Sequence, residues 1–99
     1  MTAITRHPPV SARRGDRLSF DAPREGVGGY RWSADIDPGV GAVTETGVAQ
    51  PGGLVGGGAV ARFALDIVGP GTATLRLSLR RPWEKDAAEI VEYPIRVES

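Results

Sequence analysis

A chain of 99 residues, of which 40% are apolar, can bury one compact hydrophobic core but not two. Its 12 basic and 12 acidic residues give zero net charge, which argues against a general nucleic-acid binder and against a polybasic membrane anchor. The chain has no cysteine and one histidine, His7. Disulfides and thiolate nucleophiles are therefore excluded, and a triad or zinc site built from its own side chains nearly so. We expect one domain over residues 1–99 that is not an enzyme and uses no cofactor or metal.

Apolar and polar residues alternate with period two along most of the chain, and glycines and prolines cluster between the alternating segments. This pattern is typical of half-buried strands joined by turns. Segment 83–93 contains residues that favour a helix, but it runs directly into an alternating segment, so we predict a loop followed by a strand. The predicted strands are residues 2–6, 16–22, 29–36, 42–48, 59–68, 72–80 and 89–97.

Seven short strands in about 100 residues predict an all-β fold, an immunoglobulin-like antiparallel β-sandwich of about seven to eight strands. Successive connections then alternate between the two ends of the sandwich. Three loops are expected to share one end: the first loop (residues 23–29), the second loop (49–58) and the third loop (81–87). They are long and chemically unusual segments, so this end is the candidate functional site.

Two tryptophans are predicted to have different environments. Trp32 alternates in phase with Tyr30 and Ile36, so we expect it in the core. Trp83 follows a strand end and Pro82, so we expect an exposed binding anchor. The alternative is that Trp83 folds back as a lid on the end of the sandwich.

The glycine-rich second loop has two interpretations. A phosphate-binding loop requires a following helix and a lysine at fixed spacing, whereas Gly58 leads into a predicted strand with no lysine nearby. We therefore interpret the segment as a hairpin loop whose bare main chain can lie close to another protein.

At the third loop "RRPWE" follows "GPGTATLRLSL", Gly29, Tyr30 and Trp32 close the first loop, and Gly56 to Gly58 precede Phe63 at the second. Together these motifs resemble the chagasin family, small protein inhibitors of papain-like cysteine peptidases. The resemblance covers about residues 15–98 and is strongest around the third loop. The residues that match the family motifs, in the family's order, are Gly29, Tyr30 and Trp32, then Gly56, Gly57, Gly58 and Phe63, then Gly71, Leu75, Leu77, Arg81, Pro82 and Trp83. In the first loop the family usually has Asn-Pro-Thr-Thr, where this chain has Glu-Gly-Val-Gly at 25–28.

The resemblance implies an immunoglobulin-like sandwich that blocks a peptidase cleft with these loops. The implied peptidase-binding residues are Val27, Gly28, Gly29, Tyr30, Val55, Gly56, Gly57, Gly58, Arg81, Pro82 and Trp83. It implies that Trp83 packs on an aromatic surface beside the catalytic histidine, and that Val27 and Gly28 approach the catalytic cysteine. Arg81 is expected either to support the third loop or to pair with an acidic group.

The partner expected from this resemblance is a papain-like cysteine peptidase, bound by a monomer, with no nucleic acid and no membrane. The alternative is a non-inhibitory immunoglobulin-like protein-binding or scaffold module, because a fold does not fix a function. No segment has the apolar run of a signal peptide or of a membrane span. The sequence is compatible with a cytoplasmic protein and with a secreted or periplasmic mature domain that lacks its leader.

Overall fold

The strands of this computed structural model, which describes residues 2–49 and 60–98, confirm the all-β prediction. The described residues form no helix, and thus none that could cross a membrane. The strands are β1 (Ala3–Arg6), β2 (Val10–Arg13), β3 (Arg17–Asp21), β4 (Arg31–Asp35), β5 (Gly41–Ala49), β6 (Val60–Ile67), β7 (Gly71–Arg80) and β8 (Glu89–Glu98).

The strands form two sheets. The first sheet has the order β1-β8-β7-β4, with β2 also paired to β8, and the second has the order β3-β6-β5. All pairs among β3 to β8 are antiparallel, as predicted. The two short strands β1 and β2 instead run parallel to β8, one after the other along the same edge of the sheet. The sandwich is therefore not antiparallel at this edge.

Strand β2 was not predicted, and its neighbours explain why. Pro8 and Pro9 have no backbone N–H to donate to a ladder, so they separate β1 from β2. The four residues of β2 then lead directly into a turn, and a segment this short contains too little alternation to be recognised.

The core lies between the two sheets and uses the alternating positions. Among the described residues, the largest fully buried side chains are Leu65, Leu75, Leu77 and Ile95. Trp32 packs with them at 6% exposure, which confirms its predicted burial. Its indole Nε1–H donates to the main-chain carbonyl of Arg24 at 2.9 Å. The core therefore also holds the beginning of the first loop.

Glu92 on β8 is a charged side chain that is nevertheless buried, at 7% exposure. Arg6 of β1 lies 3.0 Å from one carboxylate oxygen, and Arg76 of β7 lies 3.1 Å from the other. These hydrogen bonds, from Arg6 first and Arg76 second, hold the pKa of Glu92 below its ordinary value. The carboxylate thus joins three neighbouring strands of the first sheet.

This arrangement predicts an acid-sensitive contribution to stability. Because the pKa of Glu92 is lower in the folded chain, its ionised form stabilises the fold above the unfolded pKa of about 4.3. That stabilisation is lost as the pH falls through the folded pKa. Glu92→Gln is expected to lower the free energy of unfolding at pH 7 by at least about 1 kcal/mol and to flatten its dependence on pH between about 2 and 5.

Urea unfolding of both proteins across this pH range measures the effect. Glu45→Gln is the matched control, since Glu45 is exposed and has no salt bridge among the described residues. If the free energy of unfolding of the two variants depended on pH in the same way between about 2 and 5, Glu92 would contribute no pH-dependent stability.

Candidate functional site

The first loop ends in a tight turn. The Tyr30 N–H donates to the carbonyl of Val27 at 3.2 Å, and the two central residues have positive φ, +66° at Gly28 and +87° at Gly29. Positive φ at both central positions is the mark of a type I′ turn, which strongly favours glycine. Val27, the first residue of the turn, is 67% exposed.

The base of the same loop is fixed from several sides. Trp32 holds the Arg24 carbonyl from the core, and the Arg24 side chain pairs with Glu89 at the start of β8. A Cβ atom at Gly26 would collide with the carbonyl oxygen of Tyr30, so the loop can fold back on itself only with glycine there. No pattern in the sequence indicates the roles of Arg24 and Glu89, because any residue can offer a carbonyl and surface charges have many possible partners.

The third loop is a closed turn that exposes its tryptophan. The Glu84 N–H donates to the carbonyl of Arg81 at 3.0 Å, with Pro82 and Trp83 as the central residues. Proline suits the first central position because its fixed φ matches that of the turn. Trp83 is 73% exposed, so the alternative that it folds back as a lid is wrong.

Arg81 joins the two loops. The last paired residues of β4 and β7 at this end are Arg31 and Arg80, so Tyr30 and Arg81 come next on the two strands. The Arg81 guanidinium lies 4.5 Å from the centre of the Tyr30 ring and 5.7 Å from that of Trp83. These are cation–π distances.

Arg81 also makes two polar contacts. Its Nε donates to the carbonyl of Gly28 at 3.1 Å and lies 3.8 Å from a carboxylate oxygen of Glu84. Within the free protein, Arg81 thus supports its own loop and pairs with Glu84 of that loop. The contact to Gly28 adds a third role, since it ties the third loop to the turn of the first.

The predicted site residues of the second loop, Val55 and Gly56 to Gly58, lie outside the described residues. The strand residues that flank the second loop are described: Ala49 at the end of β5 is paired with Val60 at the start of β6. Asp21, from which the chain enters the first loop, is paired with Arg62 of the same strand β6. The strand ends that bound residues 50–59 therefore lie at the same end of the sandwich as the first loop.

The contacts of the first and third loops bring together two aromatic rings, the Arg81 guanidinium and one valine around a glycine main chain. Aromatic residues and arginine are the side chains most often found as energetic anchors of protein–protein interfaces. Within residues 2–49 and 60–98, no three acidic or histidine side chains are grouped closely enough to hold a metal ion. The geometry is suited to holding another protein.

Comparison with known protein families identifies the family of this chain. The model of the chagasin family of peptidase inhibitors, Chagasin family peptidase inhibitor I42, matches residues 11–97. The chain belongs to the chagasin family. Its function is accordingly inhibition of papain-like cysteine peptidases, and the prediction that it is not an enzyme is confirmed on the same ground. The scaffold alternative loses its support.

Solved structures share the fold of this chagasin-family protein over nearly its whole length. The cysteine protease inhibitor EhICP2 from Entamoeba histolytica superposes with a TM-score of 0.74 at 20% identity, covering 98% of this chain and 95% of that one. PbICP-C in complex with falcipain-2 gives 0.66 at 17% identity, covering 99% and 90%. The solution structure of Amebosin gives 0.65 at 16% identity, covering 98% and 96%. No curated protein matches the chain significantly in sequence.

Proposed function

We propose that this chagasin-family protein blocks the peptidase cleft with the end of the sandwich that carries the first and third loops. The observation that carries the proposal is the contact of Arg81 with both loops, which holds two exposed apolar side chains, Val27 and Trp83, at one end. Large apolar side chains held in water at defined positions are typical of binding surfaces.

Trp83 is the anchor in this proposal. Its indole packs on an aromatic surface beside the catalytic histidine of the peptidase, while Val27 and Gly28 approach the catalytic cysteine. The turn at Gly28 and Gly29 reverses the chain within two residues, so this part of the loop does not lie in the cleft as an extended strand. The inhibitor therefore offers the cysteine no well-placed peptide bond to cleave.

The second loop completes the proposed wedge. Val55 and Gly56 to Gly58 lie against the opposite wall of the cleft, where the absence of side chains on three glycines allows close main-chain approach. The similar fold of PbICP-C, solved in complex with falcipain-2, supports a role for this fold in binding another protein.

Preorganisation of the loops favours tight binding by so small a domain. The turn hydrogen bonds, the Trp32 anchor and the Arg81 contacts fix the first and third loops before binding. Little conformational entropy then remains to be lost on association, and more of the contact energy appears as affinity.

Titration of papain activity with the purified protein tests the proposal, and a stoichiometric loss of activity is expected. Val27→Ala is expected to weaken inhibition several-fold, because a central apolar contact is truncated. Val68→Ala is the matched control, since Val68 is also exposed, at 49%, but follows β6 at the opposite end of the sandwich. Equal inhibition by the two variants would show that the first loop does not enter the cleft.

The positive φ of Gly28 gives a separate prediction for this turn. A Cβ at Gly28 would meet only Arg81 Nη2 at 3.8 Å, so there is space for a side chain. Threonine is nevertheless strained at φ +66°, by roughly 1–2 kcal/mol, whereas asparagine tolerates this region. Gly28→Thr is expected to weaken inhibition about fivefold or more, and Gly28→Asn to stay close to the parent.

Inhibition constants of both variants against the same peptidase measure this difference. Because the two side chains are similar in size, the comparison separates backbone strain from steric overlap with the peptidase. Tighter inhibition by Gly28→Thr than by the parent would contradict the positive φ.

A further inference from the structure

The outer face of the first sheet has an unequal distribution of charge along the paired strands β4 and β7. Asp35 is paired with Arg76, and Ser33 with Ser78, so opposite charges and neutral groups face each other there. At the end next to the first and third loops, the paired residues are instead two exposed arginines, Arg31 and Arg80. We call these two residues the arginine pair.

The arginine pair is unfavourable for the isolated domain. Like charges directly opposite each other on neighbouring strands destabilise a sheet. Among the described residues, no carboxylate forms a salt bridge with either guanidinium, although six other arginines have one. No ion pair within the described part of the fold therefore offsets the repulsion.

The surroundings of the pair leave this charge available to a partner. Glu25 and Glu45 line a shallow depression with Arg31, outside salt-bridge distance. On the other side, Lys85 and Asp86 of the third loop line a groove with Arg80, where their charges cancel each other.

The pair is also continuous with the proposed binding end. Arg31 directly follows Tyr30, and Arg80 directly precedes Arg81. A protein that covers Tyr30, Arg81 and Trp83 therefore has its surface beside the arginine pair. Two unmatched cations at the margin of an interface attract an acidic surface and accelerate encounter.

We infer that the arginine pair is an electrostatic docking surface for an acidic patch beside the cleft of the target peptidase. This inference rests on the proposed function. It specifies the partner as a papain-like peptidase whose surface beside the cleft is negatively charged where it faces the ends of β4 and β7. The pair acts chiefly on the rate of association, because exposed charges at an interface margin are screened by salt and contribute little to the lifetime of the complex.

The test compares two double variants with the same change of net charge. Arg31→Gln/Arg80→Gln removes the pair, and Arg13→Gln/Arg14→Gln removes two exposed arginines at the opposite end of the sandwich. Association and dissociation rate constants are measured by stopped flow at about 10 mM and about 0.5 M salt. Two papain-like peptidases that the parent protein inhibits are used, one with an acidic and one with a basic surface beside the cleft.

With the acidic peptidase at low salt, loss of the arginine pair is expected to slow association roughly three- to tenfold relative to the control, with dissociation nearly unchanged. High salt removes the difference, and the basic peptidase is expected to associate faster with the variant. The unfolding midpoint of the variant stays equal to that of the parent or rises, since the repulsion is relieved.

Equal association rates for the two double variants would overturn the inference while leaving the proposed function intact. A fall in the unfolding midpoint of Arg31→Gln/Arg80→Gln alone would also overturn it, because the arginines would then be structural. Failure of the parent protein to inhibit any papain-like peptidase would instead refute the proposed function itself.

Discussion

Trp83→Ala is expected to weaken inhibition of a papain-like peptidase at least about thirtyfold, because truncation of a buried aromatic anchor costs about 2 kcal/mol or more of binding free energy. Trp83 is 73% exposed in the free protein, and its ring lies against Arg81 and Gly29 rather than in the core. The free energy of unfolding is therefore expected to change by less than about 0.5 kcal/mol. Inhibition constants and urea unfolding of the same preparations measure both quantities.

Ile4→Ala is the control for exposed apolar area. Ile4 is 63% exposed on the edge strand β1, outside the three loops, and its truncation is expected to leave inhibition unchanged. If Trp83→Ala inhibits as tightly as the parent, Trp83 is not the anchor, and the third-loop motif has only a structural role.

Trp32→Ala is expected to have the opposite profile, with a loss of about 3–5 kcal/mol in the free energy of unfolding. The indole is 6% exposed among buried side chains of both sheets, so its removal leaves a cavity that the rigid strands cannot fill. Denaturant unfolding measures the loss. Equal losses for Trp32→Ala and Trp83→Ala would contradict the assignment of one tryptophan to the core and the other to the surface.

Trp32→Phe separates packing from loop anchoring. Phenylalanine retains most of the apolar ring but cannot donate to the Arg24 carbonyl, a hydrogen bond worth about 1 kcal/mol. The first loop then loses its attachment to the core. Inhibition is expected to fall even under conditions where the variant is fully folded.

The sandwich was predictable from sequence because its core obeys one simple rule. Leu75 and Leu77 on β7, and Val91 and Ile95 on β8, lie at every second or fourth position and are all buried. Antiparallel sheets with one solvated face impose this alternation. The same pattern therefore predicts both where a strand lies and which of its side chains face the core. The phase of Trp32 on β4 follows from the same rule.

The parallel edge strands were not predictable in the same way. The side chains of β1 are exposed on both faces of the strand, so its sequence carries no alternation that indicates a partner or a direction. Its position depends instead on main-chain pairing with β8 and on the contact of Arg6 with Glu92. Such long-range contacts leave no periodic signal in a sequence.

The site was predictable as a set of loops, but its internal geometry was not. A glycine permits positive φ without requiring it, so the turn at Gly28 could not be decided from residue types alone. The stacking of Arg81 on Tyr30 depends on the register that brings β4 and β7 together. The placement of the second loop, at 49–58, stays a prediction.

The contacts of Arg81 have a consequence for the conditions under which the inhibitor can act. A guanidinium keeps its charge at every pH at which proteins fold, and neither an aromatic ring nor a main-chain carbonyl needs to gain or lose a proton to hold it. The link between the first and third loops therefore does not depend on acidity. At pH values below the lowered pKa of Glu92, where that contact weakens, the contacts of Arg81 with Gly28 and the two aromatic rings persist for as long as the sandwich stays folded.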